Sequence, residues 1–109
     1  IEALTGPQHA VDEMVAAFDE RRQIILDELN AIPGFRCARP AGAFYAFPNI
    51  SGSGLVAKEL QERLLEEAGV ATVAGTSFGA MGEGFIRFSY ANSVANIREA
   101  MTRIRTLLA

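Results

Sequence analysis

Apolar residues recur at helical spacing through the first thirty positions and stop at a proline–glycine pair. Val11, Val15, Phe18, Ile25 and Leu29 form the stripe, and Asp12, Glu13, Asp19, Glu20, Arg21, Asp27 and Glu28 fill most of the rest. That pattern predicts an amphipathic helix. Thr5-Gly6-Pro7 supplies a start signal, a cap candidate followed by proline in the first turn. Pro33-Gly34 ends the helix after about Asn30. Unbroken, it would run roughly 36 Å at 1.5 Å per residue. This is long for a chain of 109 residues, and it suits a brace laid against something larger.

The remaining signals are shorter. Phe35–Ala38 and the aromatic-rich Ala43–Pro48 read as two strands joined by the turn Arg39-Pro40-Ala41-Gly42, a hairpin. Asn49–Gly54 is a polar loop in which Ser53 is a cap candidate for the next helix. Val56, Ala57, Leu60, Leu64 and Ala68 are the stripe of that helix, and Gly69 ends it. Val70–Ala74 is a short apolar strand, and the loop Gly75–Gly84 leads into the strand Phe85–Tyr90. Ser93 caps a final helix with the stripe Ile97, Met101, Ile104 and Leu108. The order is α-ββ-α-β-β-α. Three helices on one small, mostly antiparallel sheet pack most economically as an α+β two-layer sandwich. No repeat, low-complexity segment or internal linker divides the chain, so residues 1–109 are expected to form a single domain.

Half of the residues are hydrophobic, enough for one core at this length. The net charge is −3, and signs are interspersed with no cluster of Lys and Arg, which argues against nucleic acid as a partner. Cys37 is the only cysteine, so no disulfide forms within the chain. One His and one Cys cannot assemble a zinc site. A reducing, cytoplasmic compartment is expected. No apolar run approaches membrane-spanning length and no signal peptide opens the chain, so no membrane association is expected. A start at Ile1 instead of Met is expected of a piece of something longer, or of a processed product.

Few residues carry chemistry. Strand alternation places Ile86, Phe88 and Tyr90 on one face and Phe85, Arg87 and Ser89 on the other. An arginine on a rigid strand, just after a glycine-rich loop, suits bidentate capture of a carboxylate or phosphate. A solvent-facing arginine on a half-buried strand is the commoner outcome of that local pattern. The loop Gly75–Gly84 has four glycines but lacks GK[ST] and leads into a strand, which excludes a P-loop or dinucleotide fingerprint. It fits a flexible connection and a functional loop equally well.

His9 fits a surface residue, and Cys37 a small core residue. Ser77 and Ser89 have no base partner in the pattern. Glu66-Glu67 and Asp19-Glu20 are adjacent on helices and so do not face each other. Lys58, beside Glu59 and Glu62, fits a solvated lysine rather than a Schiff-base nucleophile. The chain thus offers a scaffold, one well-placed arginine and a glycine-rich loop, with no self-sufficient catalytic set.

Two long blocks resemble a known family. One runs Met14-Val15, Phe18, Arg21-Arg22, Pro33-Gly34-Phe35, then Arg39-Pro40-Ala41-Gly42-Ala43-Phe44-Tyr45 and Phe47-Pro48. The other runs from Leu64 to Val73, then Gly75, Phe78-Gly79 and Gly82-Glu83-Gly84-Phe85-Ile86-Arg87-Phe88-Ser89-Tyr90-Ala91. Together they are similar to the C-terminal segment of class I/II aminotransferases, in the style of the bacterial aspartate-aminotransferase-like branch of fold-type I pyridoxal-phosphate enzymes.

The resemblance implies a small domain that closes over the substrate, with Arg87 pairing the substrate α-carboxylate and Phe44 lining the substrate side of the cleft. It implies pyridoxal 5'-phosphate as cofactor, held mainly by a large domain whose lysine, aspartate and phosphate-cup residues have no counterpart here. This chain alone is therefore expected to be inactive and to hold no catalytic or cofactor-binding residue. It implies amino acid and 2-oxo acid substrates, aspartate among them, a large domain as structural partner and a homodimer when intact. The family usually has Val-Pro-Gly where this chain has Val73-Ala74-Gly75, a change expected to loosen the loop entry. A lyase, decarboxylase or acyltransferase of the same fold type would use Arg87 in the same way. A free-standing small-molecule binding module is the alternative from another class.

Overall fold

The computed structural model describes residues 1–109. The elements in order are α1 (Glu2–Thr5), α2 (His9–Asn30), β1 (Tyr45–Ala46), α3 (Ala57–Glu66), β2 (Val73–Ala74), β3 (Ile86–Ser89) and α4 (Val94–Leu108). The three strands form an antiparallel sheet in the order β1-β3-β2. The α+β class is the expected one, with the one-turn α1 added in front.

The long helix starts later than its sequence signal. Thr5 does not cap it, because the Thr5 hydroxyl bonds the Ile1 carbonyl oxygen of its own turn at 3.2 Å. The chain then breaks at Gly6-Pro7 and α2 begins at His9. Its fully buried residues, Ile25 and Leu29, lie in the second half, and Phe18 packs against the core from mid-helix. Val11, Met14 and Val15 in the first half stay exposed at 44%, 55% and 61%. The helix therefore overhangs the body, and the whole chain measures 50 × 30 × 23 Å.

The expected hairpin is reduced to one bridge. Arg36 and Asn49 exchange two 2.8 Å hydrogen bonds, and Asn49 continues across to Phe85. The Asn30 side chain explains the shortfall. Its amide donates to the Cys37 carbonyl oxygen at 3.1 Å and accepts from the Cys37 N–H at 2.9 Å. Those backbone groups are thus satisfied by the end of α2 and not by a strand partner. The segment from Phe44 to Ile50 pairs with β3 instead. Tyr90 N–H donates to Phe44 O at 2.9 Å, Ile86 N–H to Pro48 O at 3.3 Å, and Ile50 N–H to Gly84 O at 2.7 Å.

The core is one cluster of 18 buried residues. It joins Ile25 and Leu29 of α2, Ala57, Leu60 and Leu64 of α3, Ile97, Met101 and Ile104 of α4, and the Ile86–Phe88–Tyr90 face beside them. Burial of each large apolar side chain contributes about 1.5–3 kcal/mol over leaving it in water. Alternation in β3 is as expected, since Ile86 and Phe88 are buried while Arg87 is half-buried and Ser89 exposed. In α4 the Ser93 hydroxyl caps the Asn96 N–H at 3.1 Å.

The cap of α3 differs from expectation. The Ser53 hydroxyl donates to Ile50 O at 2.7 Å and accepts from Leu55 N–H at 3.3 Å, closing its own turn. The Glu83 carboxylate caps α3 instead, accepting from Ala57 N–H and Gly84 N–H at 3.0 Å each.

Candidate functional site

Arg87 occupies the middle strand of the sheet, opposite Val73 of β2. Pairing on both sides fixes its backbone, and alternation sends its side chain away from the core. The guanidinium carbon lies 4.3 Å from the ring centroid of Tyr45 and 4.9 Å from that of Phe78. Each such contact stabilises by about 0.5–1 kcal/mol where water has access, and more where it does not. The five ion pairs of the chain are Arg22–Asp19, Lys58–Glu62, Arg63–Glu67, Arg103–Glu99 and Arg105–Glu28. Arg87 belongs to none of them. The result is a cation positioned by aromatic rings, with its N–H donors unpaired by any acid.

Both rings are themselves supported. Tyr45 stands opposite Ser89 in the β1–β3 pairing, and Phe44 packs against it at 4.5 Å. Phe47 stacks on Phe85 at 5.1 Å and 14°, and meets Phe78 edge-on at 6.4 Å and 80°. Tyr45, Phe47 and Phe78 remain 38%, 40% and 57% exposed, so an aromatic surface surrounds Arg87. Phe44, the expected lining residue, is not one of the two rings over which Arg87 lies. It bridges from Tyr45 to Phe18 of α2, whose ring lies 6.2 Å away.

The Gly75–Gly84 loop is a folded unit. It contains the 3-10 turns Gly75–Phe78 and Ala80–Gly82. A Cβ on Gly75 would stand 2.1 Å from the Gly82 carbonyl oxygen, and one on Gly82 would stand 2.0 Å from the Gly75 oxygen. The two glycines thus permit a backbone contact that no side chain allows. Gly75 N–H also donates to Phe85 O at 2.8 Å. This neck, together with Glu83 on the start of α3, holds the turn that carries Phe78.

The other sequence candidates are not gathered here. His9 and Ser77 are exposed. The Ser89 hydroxyl accepts from the Ala91 N–H at 3.3 Å. Burial pushes the Cys37 thiol up from its ordinary range, keeping it neutral. No three His, Cys, Asp or Glu side chains are grouped to hold a metal ion. No helix is long and apolar enough to cross a membrane. Sequence alone singled out Arg87 but not Tyr45, Phe78 or Glu83. The alternation in Phe44-Tyr45-Ala46-Phe47 was the available signal for Tyr45, once that segment is paired with β3.

The profile of the family described as aminotransferase class I and II matches residues 1–104. An aspartate aminotransferase of Pyrococcus horikoshii is 47% identical over 99% of this chain and 28% of its own length. Among solved structures, an alanine aminotransferase from Pyrococcus furiosus superposes with a TM-score of 0.93 at 36% identity, over 98% of this chain and 28% of that one. An aspartate aminotransferase from Thermus thermophilus, solved with maleate, gives 0.84 at 40% identity over 97% of this chain and 28% of that one. The chain thus spans little more than a quarter of the length of these proteins. Its sequence along nearly the whole of these residues, and its fold, place it in the class I and II aminotransferase family.

Proposed function

We propose that this chain is the substrate-clamping small domain of a pyridoxal-phosphate-dependent aminotransferase, and that Arg87 holds the α-carboxylate of the amino acid. The observation that carries this reading is the Arg87 guanidinium, fixed on the central strand between two rings and paired with no acid of its own chain. A planar fork of N–H donors matches a carboxylate in two parallel hydrogen bonds. Holding that end of the substrate orients its α-carbon for proton transfer. The maleate carried by the Thermus thermophilus relative is a dicarboxylate, which is in keeping with a carboxylate site in such proteins. Phe44, beside Tyr45, contributes to the apolar wall on the same side. The relatives are named for different amino acids, aspartate for one and alanine for another, so the proposed contact is to the α-carboxylate they share.

Pyridoxal phosphate supplies the group that receives and returns the amino group. Nothing among these residues fits as its anchor. Lys58, the only lysine, has a solvated side chain paired with Glu62 at 3.5 Å. We place the anchor in the rest of the protein, against which the exposed Val11–Met14–Val15 stretch of α2 would pack. These residues bind and orient, and the chemistry occurs elsewhere.

Arg87→Ala and Arg87→Lys in the full-length protein test the assignment. Loss of a bidentate, charge-assisted pair is expected to lower kcat/KM at least about 100-fold in the alanine variant. Lysine should recover little, because one ammonium cannot reproduce the fork. An unchanged kcat/KM in Arg87→Ala would refute the proposed role.

A further inference from the structure

We infer that Tyr45 and Phe78 are positioning residues for Arg87, holding the guanidinium plane so that its edge meets the substrate carboxylate as a ready-made fork. This rests on the assignment of Arg87 as the carboxylate ligand. An arginine side chain has large rotamer freedom, and a bidentate contact needs its plane fixed. An acid of the same chain would fix it, but would occupy the donors that the substrate needs. Aromatic rings act differently. They attract the cation through their faces and leave the in-plane N–H groups free.

The geometry has that form. The guanidinium carbon sits 4.3 Å from the Tyr45 centroid and 4.9 Å from the Phe78 centroid, and none of the five ion pairs uses Arg87. The rings come from separate elements, Tyr45 from β1 and Phe78 from the turn Gly75–Phe78. Each is braced by another aromatic, Tyr45 by Phe44 at 4.5 Å and Phe78 by Phe47 at 6.4 Å. The contact of Tyr45 with Arg87 is through its ring, so phenylalanine should serve as well as tyrosine there.

The test uses the full-length enzyme with Phe78→Leu, Tyr45→Leu, Tyr45→Phe, Arg87→Ala and the double variant Phe78→Leu/Arg87→Ala. Steady-state kinetics are measured with an amino acid substrate and with the corresponding primary amine, which lacks the carboxylate. Phe78→Leu and Tyr45→Leu are expected to raise KM for the amino acid about 3- to 10-fold with kcat nearly unchanged, the size of one lost cation–π contact. Tyr45→Phe should retain the parent KM. The amine should show no effect of either leucine variant, and Phe78→Leu should add little once Arg87 is gone, because the pair acts as a unit.

Unchanged amino acid KM in Phe78→Leu, with a large loss in Arg87→Ala, overturns the positioning role and leaves the carboxylate assignment standing. Equal losses on amino acid and amine overturn it too, since a purely structural role would not distinguish them. No effect of Arg87→Ala overturns the carboxylate assignment itself. Phe78 lies on an exposed turn, so it carries the test even if Tyr45→Leu does not fold.

Discussion

The Tyr90 phenol donates a 2.8 Å hydrogen bond to the carbonyl oxygen of Ala43, the one non-glycine residue with positive φ, at 60°. The left-handed region costs an alanine about 1–2 kcal/mol. Tyr90 holds the strained residue by its phenol and the next residue by its backbone, since its N–H donates to Phe44 O at 2.9 Å. The bend at Ala43 leads into Tyr45, whose ring lies against Arg87. Tyr90 thus links the core face of its strand to the opposite side, where Tyr45 meets Arg87.

Tyr90→Phe is accordingly expected to destabilise the protein by about 1–2 kcal/mol, because the Ala43 carbonyl loses its donor. The midpoint of urea unfolding at neutral pH checks this. Burial also pushes the Tyr90 phenol up from its ordinary range, although Arg22 nearby pulls it down. The unfolded chain releases this proton near pH 10 and the folded chain retains it. The stabilisation is therefore complete below about pH 10 and declines as pH rises above it. Tyr90→Phe should remove that part of the alkaline loss, and a variant with an unchanged alkaline profile would contradict the proposed linkage.

Two glycines of the chain make opposite predictions. A Cβ at Gly82 would stand 2.0 Å from the Gly75 carbonyl oxygen, whereas one at Gly42 would meet nothing within 4 Å. Gly82→Ala must open the loop neck, at a cost of about 1–3 kcal/mol for an overpacked contact. It should also raise KM for the amino acid by displacing Phe78 from Arg87. Gly42→Ala should leave both quantities near those of the parent. Thermal unfolding of the pair decides the matter, and equal melting temperatures would mean that the neck is not the close contact described.

Local signals in the sequence translated well where one element contains its own determinants. Ser93 caps α4 through Asn96, three positions away on the same helix, and the Ile97–Met101–Ile104 stripe is buried. Alternation along β3 separated Arg87 from its buried neighbours. What sequence did not reveal depends on partners distant along the chain. Ser53 lies ahead of Val56, the N-cap position of α3, and the Glu83 carboxylate arrives there from the far end of the glycine loop. Phe35–Ala38 had strand composition, but the Asn30 side chain occupies the Cys37 backbone. Tyr45 and Phe78 join Arg87 only after β1 pairs with β3 and the loop folds back. Aromatic residues give no local sign of which cation they will cover.

The loop entry has Ala74 where proline is usual in the family. Ala74 has φ −59°, which proline would adopt without strain. The alanine nevertheless has a task. Its N–H donates at 2.6 Å to the Gln61 side-chain oxygen, tying β2 to α3. The expected loosening is therefore offset by a hydrogen bond that proline cannot make. Ala74→Pro gains about 0.4–1 kcal/mol by restricting the unfolded chain. It loses about 0.5–1.5 kcal/mol of hydrogen bonding and leaves the Gln61 oxygen without its donor. The net change should be close to zero or slightly destabilising. With Gln61→Leu already in place the hydrogen bond is gone, so Ala74→Pro should then stabilise by about 0.4–1 kcal/mol. A double-mutant cycle on unfolding midpoints measures the difference. A proline that stabilises both backgrounds equally would show that Gln61 does not hold this strand.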